Sequence, residues 1–453
     1  MLRINVLRMG ALALAVAFLP GAAQAETLRE ALERAYTNNP NIMSALLSVK
    51  ASAEDIALRK AGKLPQIDMT GMVGGNFAVT EGTVTTGHSY RLSLSYQQTL
   101  FDNFKTESQI EQARAFSEVS KYALRNAEQN VLLAVATAYM NVVRDLQLVE
   151  LRGENVKFFQ AQVESAESRL RLGEGTQIEV SQAQARLAQA VASYRAAIAS
   201  LQTSQASYER WVGRKPTNLT RDYDFNGAIP GSIDAAIASA EENHPAILTA
   251  RAMIRATQAG SDAARAAFGP TLNLIGSLCG VGCFAADPGQ GGVTGSVNLT
   301  LTIPIYAGGS LGASVRKANL EQIKSEVDAL STRDEVRESV ISAWSSMQNA
   351  AAQIESAQSA VASGQLVVEG TIQERDVGQR TTLDVLNAQA ELTSAREALI
   401  VASSNRVIAS FALLAAAGKL SATDLRLRVE VKSADGYIAT VEDVWQELRA
   451  IEE

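Results

Sequence analysis

The sequence has only two cysteines, Cys279 and Cys283, and two histidines, His88 and His244, the residue types that zinc sites and thiol or imidazole catalysis most often use. The cysteines are separated by three residues, whereas both histidines lie far from them along the chain. Zinc sites and nucleophilic enzymes need closer or more numerous ligands and partners than these four residues supply. The chain also lacks a phosphate-binding P-loop motif. The sequence therefore predicts no enzyme, no cofactor and no metal site.

The first 25 residues have the pattern of a secretory signal peptide. Arg3 and Arg8 precede the apolar run 11–19, and Ala23-Gln24-Ala25 is a small-x-small cleavage signature. The apolar run is too short to cross a bilayer as a helix. We therefore expect cleavage after Ala25 and export into an oxidising compartment. There the two cysteines are expected to form a local disulfide, the alternative being two free thiols in a small-residue loop.

Charge and hydropathy restrict the partners of the exported chain. The full sequence has a formal net charge of −7, and an acidic chain is a poor binder of nucleic acid. No stretch after residue 25 reads as a transmembrane helix, since candidates such as Ala409 to Ala417 are far too short. If the protein spans a membrane, it must do so with strands.

The sequence contains two copies of one unit at a constant offset of 205 residues. Four pairs of landmarks share this offset: Pro40 with Pro245, Pro65 with Pro270, Gly173 with Gly378, and Gly213 with Gly418. This spacing predicts copies at 26–219 and 231–424. They are joined by a linker at 220–230 and followed by a C-terminal segment at 425–453.

Each copy contains two strand-like segments, at 64–77 and 88–101 in the first and at 269–279 and 293–305 in the second. Apolar and polar residues alternate in them, as in Leu92-Ser93-Leu94-Ser95. This alternation is typical of membrane β-strands, although strands of a soluble sandwich alternate equally well. Four strands cannot close a barrel of useful size, so a membrane barrel would need strands from several chains.

The remaining segments predict unusually long helices. No proline occurs between Pro65 and Pro216 or after Pro304, and alanine is abundant. Aromatic residues make up only 5% of the chain, which argues against a large globular core. The helices are expected to pack as coiled-coil layers, and a tube is one such arrangement.

The segment from Val377 to Gln389, VGQRTTLDVLNAQ, closely resembles the helix-turn tip of TolC-type outer-membrane efflux proteins. The first copy echoes it from Leu172 to Thr176, and the junctions LFD and IPIYAGG also look like that family. The resemblance covers nearly all of the chain after residue 25.

The resemblance implies a mostly α-helical fold, a long antiparallel coiled-coil tunnel with four β-strands per subunit. A homotrimer would form one twelve-stranded barrel in outer-membrane lipid. The linker and C-terminal segment would form an equatorial belt around the tunnel. The lower end would meet a periplasmic adaptor protein bound to an inner-membrane RND or ABC transporter. The chain would then be a passive exit duct for small molecules or proteins.

The resemblance also assigns residues at the periplasmic entrance. Asp384 and Asn387 would face the pore, where three copies of Asp384 form a ring of carboxylates that attracts cations. Asn387 departs from the best-known pattern, which has a second acid there. Glu179 would form gate ion pairs with Arg380 and Arg375, although one well-studied member has a neutral aromatic in place of Arg375.

The two helix turns would dock the adaptor through Leu172 and Gly173 in the first copy and through Val377 and Gly378 in the second. An alternative function is a non-transport envelope coiled coil or adhesin. That alternative gives no reason for paired strands between the helices of both copies. Whether the cargo is drugs or protein stays open.

Overall fold

A computed structural model describes residues 26–220, 229–283 and 292–442. The predicted signal peptide lies outside these residues, as do parts of the predicted linker and the end of the C-terminal segment. The described elements run in this order: α1 Leu28–Asn38, α2 Pro40–Lys60, a 3₁₀ turn Ala61–Lys63, β1 Gln66–Thr80, β2 Thr83–Phe101, α3 Lys105–Arg171, α4 Gln177–Val212, α5 Ile233–Asn243, α6 Pro245–Ala266, β3 Thr271–Cys283, β4 Gly292–Thr302, α7 Ser310–Asp376, α8 Thr382–Ala416 and α9 Asp435–Glu442.

Two helices of equal length form the axis of the molecule. Helices α3 and α7 each contain 67 residues, which at 1.5 Å per residue gives about 100 Å. Shorter helices lie antiparallel along them: α2 and then α4 along α3, and α6 and then α8 along α7. We call α3 with α4 the first coil and α7 with α8 the second coil.

The main apolar core lies at the middle of the long helices, where the large side chains are concentrated. Tyr139 of α3, Tyr208 of α4 and Phe411 of α8 are buried there, and α1 packs against them. Leu420, near the end of the second copy, and Leu425, at the start of the C-terminal segment, belong to the same cluster. The equatorial belt that the family resemblance implies for the middle of the tunnel stays a prediction.

Two helices are more hydrophobic than the sequence analysis expected. Helices α3 and α8 each contain an 18-residue window apolar enough to cross a membrane by composition, with mean hydropathies of 1.2 and 1.7. Helix α3 contributes to the apolar core at mid-length and α8 near its C-terminal end, and 56% and 33% of the two windows are buried inside the subunit. Their alanine, valine and leucine content reflects helix–helix packing.

The four strands form one antiparallel sheet in the order β1-β2-β3-β4. β1 and β2 meet at a two-residue turn of Glu81 and Gly82, both with positive φ, as hairpin turns of this length require. The hairpin is therefore longer than predicted, because residues 78–80 and 83–87 continue the ladder. The last strand ends at Thr302, three residues before the predicted end.

The register places most of the apolar residues of the four strands on one face. They remain exposed in the subunit: Ile67, Met69, Val73, Phe77, Leu92, Leu94, Leu278, Val297, Leu299 and Leu301. The opposite face carries polar residues such as Ser93, Ser277 and Ser296, and the hydroxyls of the last two lie 2.8 Å apart. This sheet has an apolar outer face and a polar inner face, and among the described strands the outer edges of β1 and β4 have no partner.

Candidate functional site: the helix tips and the links between the coils

The two helix tips are built alike. Gly173 and Gly378 adopt the left-handed conformation, with φ of 75° and 78°, which ends α3 and α7. One residue further on, the backbone N–H of Glu174 donates to a carbonyl of α3, and that of Gln379 donates to a carbonyl of α7, at 2.9 and 2.8 Å. These bonds are the six-to-one contacts of a Schellman turn, which reverses the chain within a few residues.

A capping box starts the next helix at each tip. The hydroxyl of Thr176 accepts from the backbone N–H of Glu179, whose carboxylate accepts from the N–H of Thr176. Thr381 and Asp384 repeat this arrangement at the second tip. A hydrogen bond from the backbone N–H of Thr381 is the largest cause that lowers the pKa of the Asp384 carboxyl. A hydrogen bond from the Thr381 hydroxyl and the nearby positive charge of Arg380 lower this pKa further. Asp384 therefore remains ionised at neutral pH.

Each tip presents an apolar side chain to solvent just before its glycine. Leu172 is 75% exposed and Val377 is 72% exposed. Ile178, at the start of α4, is also exposed and was missed by the sequence analysis. Its equivalent 205 residues later is Leu383, so the repeat offset could have found both.

The predicted gate pairs of Glu179 are not formed within the subunit. Arg380 instead donates from Nε to Glu374 Oε2 at 2.9 Å, across its own turn. Arg375 is mostly buried, bonded to the neighbouring Asp376 and, through Nη1, to Oε1 of Gln162 on α3 at 2.9 Å. The capping box explains the difference, because it holds the Glu179 carboxylate against the backbone of its own turn.

Other polar contacts join the second coil to the first. Asn387 Oδ1 accepts from Arg186 Nη2 of α4 at 2.8 Å, so this predicted aperture residue also makes a contact between the coils. Further from the tip, Arg152 of α3 forms a two-pronged ion pair with Glu397 of α8, at 2.7 and 3.2 Å. Its Nη1 also donates to the carbonyl of Ser193 on α4 at 3.1 Å. Sequence reasoning missed this pair because its members are 245 residues apart.

An apolar contact supports these polar links close to the tip. Leu386 of α8 is fully buried against Phe159 and Val163 of α3 and against Ala183 and Ala190 of α4. The small alanines leave room for the larger side chain from the other coil. The tip of the second coil is thus held against the first by one buried leucine and several hydrogen bonds.

The predicted disulfide does not fit the strand that carries both cysteines. Cys279 lies on the polar face of β3, opposite Ser93 and Thr294, and its thiol is free. Cys283 follows four residues later on the same extended strand, about 13 Å away at 3.3 Å per residue. A disulfide requires Cα atoms about 4.4–6.8 Å apart. The prediction is therefore corrected, because the two residues belong to a strand and not to a loop.

Within the described residues, no group of three or more His, Cys, Asp or Glu side chains is placed to hold a metal ion. The features found are an amphipathic sheet with open edges, two long coils and paired tips with exposed apolar residues. Together they define a channel-type membrane protein.

Comparison with known proteins specifies the class. The family model for outer membrane efflux proteins matches residues 31–214 and 236–419, two matches whose ends are each 205 residues apart. The outer membrane efflux protein BepC of Brucella suis is 36% identical over 94% of this chain and 93% of its own length. The alkaline protease secretion protein AprF of Pseudomonas aeruginosa is 27% identical over 87% of this chain and 84% of its own. The solved Campylobacter jejuni CmeC outer membrane channel superposes with a TM-score of 0.77 at 16% identity and covers 98% of both chains.

This chain belongs to the outer membrane efflux protein family. It is an outer-membrane channel protein of the kind that serves efflux or type I secretion, and it is not an enzyme. The resemblance found in the tip sequence is thereby confirmed, and the alternative of an adhesin or envelope coiled coil is wrong. The fold class is confirmed as well, as a helical tunnel joined to an antiparallel barrel sheet.

Proposed function

We propose that the chain works as a homotrimer that encloses one continuous exit duct across the outer membrane and the periplasm. The sheet is the observation that carries this proposal. Its apolar face needs lipid, and its two open edges need strands from other subunits, because unpaired backbone groups are costly in a bilayer. Three subunits with four strands each would close a twelve-stranded barrel with the polar face inside.

The surface of α7 supports the same assembly. Leu320, Ile323, Val327 and Leu330 are all exposed and follow the three-four spacing of a coiled-coil seam. We call these four residues the α7 seam. Nothing else in the described subunit covers the seam, and a helix of a neighbouring subunit would bury it.

At the lower end, the tips dock a periplasmic adaptor protein that links the channel to an inner-membrane pump of the RND or ABC type. The exposed Leu172 and Val377, each before a helix-ending glycine, supply matching apolar knobs at the two tips. The pump supplies the energy, and the channel is a passive conduit. The cargo is small molecules or an exported protein, in keeping with relatives named for efflux and for protease secretion.

The entrance opens when the tip of the second coil moves away from the first. The closed position is held by the contacts of Arg375 with Gln162, Asn387 with Arg186, and Arg152 with Glu397. Three copies of Asp384 form a cation-attracting ring at the narrow end. Arg380 contributes positive charge beside this ring from its own turn.

Native mass spectrometry of the detergent-purified protein tests the assembly, with Val327→Glu as the perturbing variant on the α7 seam. We expect a trimer for the wild-type protein and its loss in the variant. Val431→Glu is the matched control, because Val431 is a valine of similar exposure, 51% against 58%, on the C-terminal segment away from the seam. A wild-type monomer that conducts ions in planar bilayers would refute the proposal.

A further inference from the structure

Glu26, the first residue after the predicted cleavage site, is buried. Its side chain and backbone together are only 1% exposed. Its backbone N–H donates to the carbonyl of Asn218 at 3.1 Å, and its carbonyl accepts from the N–H of Thr220 at 3.0 Å. These bonds form a short parallel bridge that ties the start of the first copy to its end.

The Glu26 side chain lies among polar groups that are only partly satisfied. Its Oε1 pairs with Nη2 of Arg214 at 2.6 Å, while Oε2 has no hydrogen-bond partner among the described residues. Tyr139 donates to the Glu26 carbonyl at 2.9 Å. The buried hydroxyl of Tyr208 has no hydrogen-bond partner of normal geometry, but it lies beside the Glu26 carboxylate: burial, then the charge of Glu26 and a weak side-chain hydrogen bond to it, raise the pKa of Tyr208. Unpartnered buried polar atoms cost stability, so two of them in one place require a reason.

The second copy provides an internal comparison. At the offset of 205 residues, Glu26, Tyr139 and Tyr208 correspond to Gly231, Trp344 and Leu413. Leu413 is buried in an apolar cluster, with Trp344 packed against that cluster. The polar set therefore exists only in the copy that starts at the N-terminus of the exported chain. A role in packing the repeat itself would have placed polar groups in both copies.

We propose that this set is a binding site for the chain's own N-terminal ammonium group. Signal-peptide cleavage adds water across the Ala25–Glu26 bond: Ala25 leaves with a carboxylate, and the Glu26 nitrogen takes up a proton. The nitrogen, an amide with one N–H before cleavage, then has three N–H donors and a positive charge. One N–H keeps its bond to Asn218, and the others satisfy Glu26 Oε2 and the Tyr208 oxygen. Processing thereby completes the bridge that closes the first copy.

Labelling of the α-amino group tests the proposal on the purified, full-length mature protein. An N-hydroxysuccinimide ester at pH 7 prefers an accessible α-amino group, whose pKa is about 7.7–8.0, over lysine at about 10.4. Pairing with carboxylate raises the pKa of an amine, and each unit lowers its reactive fraction about tenfold. We expect intact mass to give Glu26 as the first residue. We also expect labelling at least about tenfold slower in the native protein than in urea.

Two variants separate the site from its surroundings. Glu26→Gln removes the countercharge and should raise the native labelling rate towards the rate in urea. Glu30→Gln is the control, because Glu30 is an exposed acid in the first turn of α1 that accepts from the backbone N–H of Thr27. Its charge also acts on Arg214, so the control removes a nearby negative charge without removing the Glu26 carboxylate itself. If Glu26→Gln does not fold, the labelling rates of the native and the urea-unfolded wild-type protein still test the proposal. Equal labelling in those two states, or a mature chain that starts at another residue, would overturn the proposal.

Discussion

The ion pair of Arg152 and Glu397 offers a sharp test of how the entrance is held shut. Both side chains are only about a quarter exposed, at 25% and 29%. Hydrogen bonds to charged groups contribute about 1.5–3 kcal/mol when buried, and partial exposure reduces this to about 1–2 kcal/mol per subunit. Three subunits together give about 3–6 kcal/mol, and 1.4 kcal/mol changes an equilibrium tenfold. Loss of the pair should therefore raise the open-to-closed ratio at least about a hundredfold.

Single-channel recordings in planar bilayers measure this ratio directly. We expect Arg152→Gln and Glu397→Gln each to raise the open probability. The double variant should open no more than the stronger single variant, since both remove the same contact. Arg333→Gln is the control. Arg333 makes a similar ion pair with Glu241, at 2.8 Å, but it joins α7 to α5 and does not join the two coils.

Two outcomes would refute the reasoning. The pair would not hold the entrance if neither single variant changed the open probability. A general loosening of the fold would be the better explanation if Arg333→Gln opened the channel as much as Arg152→Gln did. Thermal unfolding of all four variants in parallel separates gating from stability.

Two further predictions follow from groups with shifted pKa values. Burial lowers the pKa of His244, whose neutral Nδ1 caps α6, so stability should fall as pH drops through that lowered pKa. His244→Asn introduces the residue that caps the equivalent helix in the first copy, Asn39, and should remove this loss of melting temperature at acidic pH. An unchanged pH profile of the melting temperature would show that His244 does not cause the acid sensitivity. Asp384→Asn should reduce the preference for cations, measured as the reversal potential, at every pH from 5 to 8. The lowered pKa of Asp384 keeps its carboxylate charged throughout this range. Equal selectivity of the variant and the wild-type channel would show that the ring is not formed by Asp384.

The sequence predicted features that depend on local pattern. Alternation along the strands assigned the apolar and polar faces correctly, and glycines at a fixed offset located both tips. The predicted bounds of the first two strands left residues 78–87 as a connection, although only Glu81 and Gly82 form the turn. In the structure, β1 and β2 remain hydrogen-bonded to each other up to this two-residue turn. Propensity alone cannot supply this information, because pairing between strands decides it.

Contacts between distant segments could not be read from local pattern. Arg152 and Glu397 carry no signal that links them, and they meet only because α3 and α8 pack together. The predicted pairing of Arg380 with Glu179 is not formed within the subunit, because the capping box competes for the carboxylate. A sequence with Thr three residues before an acid could have suggested that competition.

The duplication makes a further prediction about the trimer. Helix α3 is packed on several sides, including by α6 of the second copy, whereas the equivalent α7 leaves its seam exposed. If α7 repeats the environment of α3, it must contact α2 of the neighbouring subunit. Helices α3 and α6 approach each other closely at Gln112 and Gly260, where a Cβ added at Gly260 would lie 2.6 Å from the amide nitrogen of Gln112.

The 205-residue offset predicts which two residues make the equivalent contact between subunits. Adding 205 to Gln112 gives Lys317, and subtracting 205 from Gly260 gives Asp55, so the expected contact joins opposite charges. In a background with both cysteines replaced by serine, Lys317→Cys with Asp55→Cys should yield covalent trimers on oxidation, because each subunit contributes both ends of a closed ring. Lys317→Cys with Asp262→Cys, on α6 of the same subunit, should not link chains. Monomers alone from the first pair, or trimers from both, would show that α7 does not repeat the packing of α3.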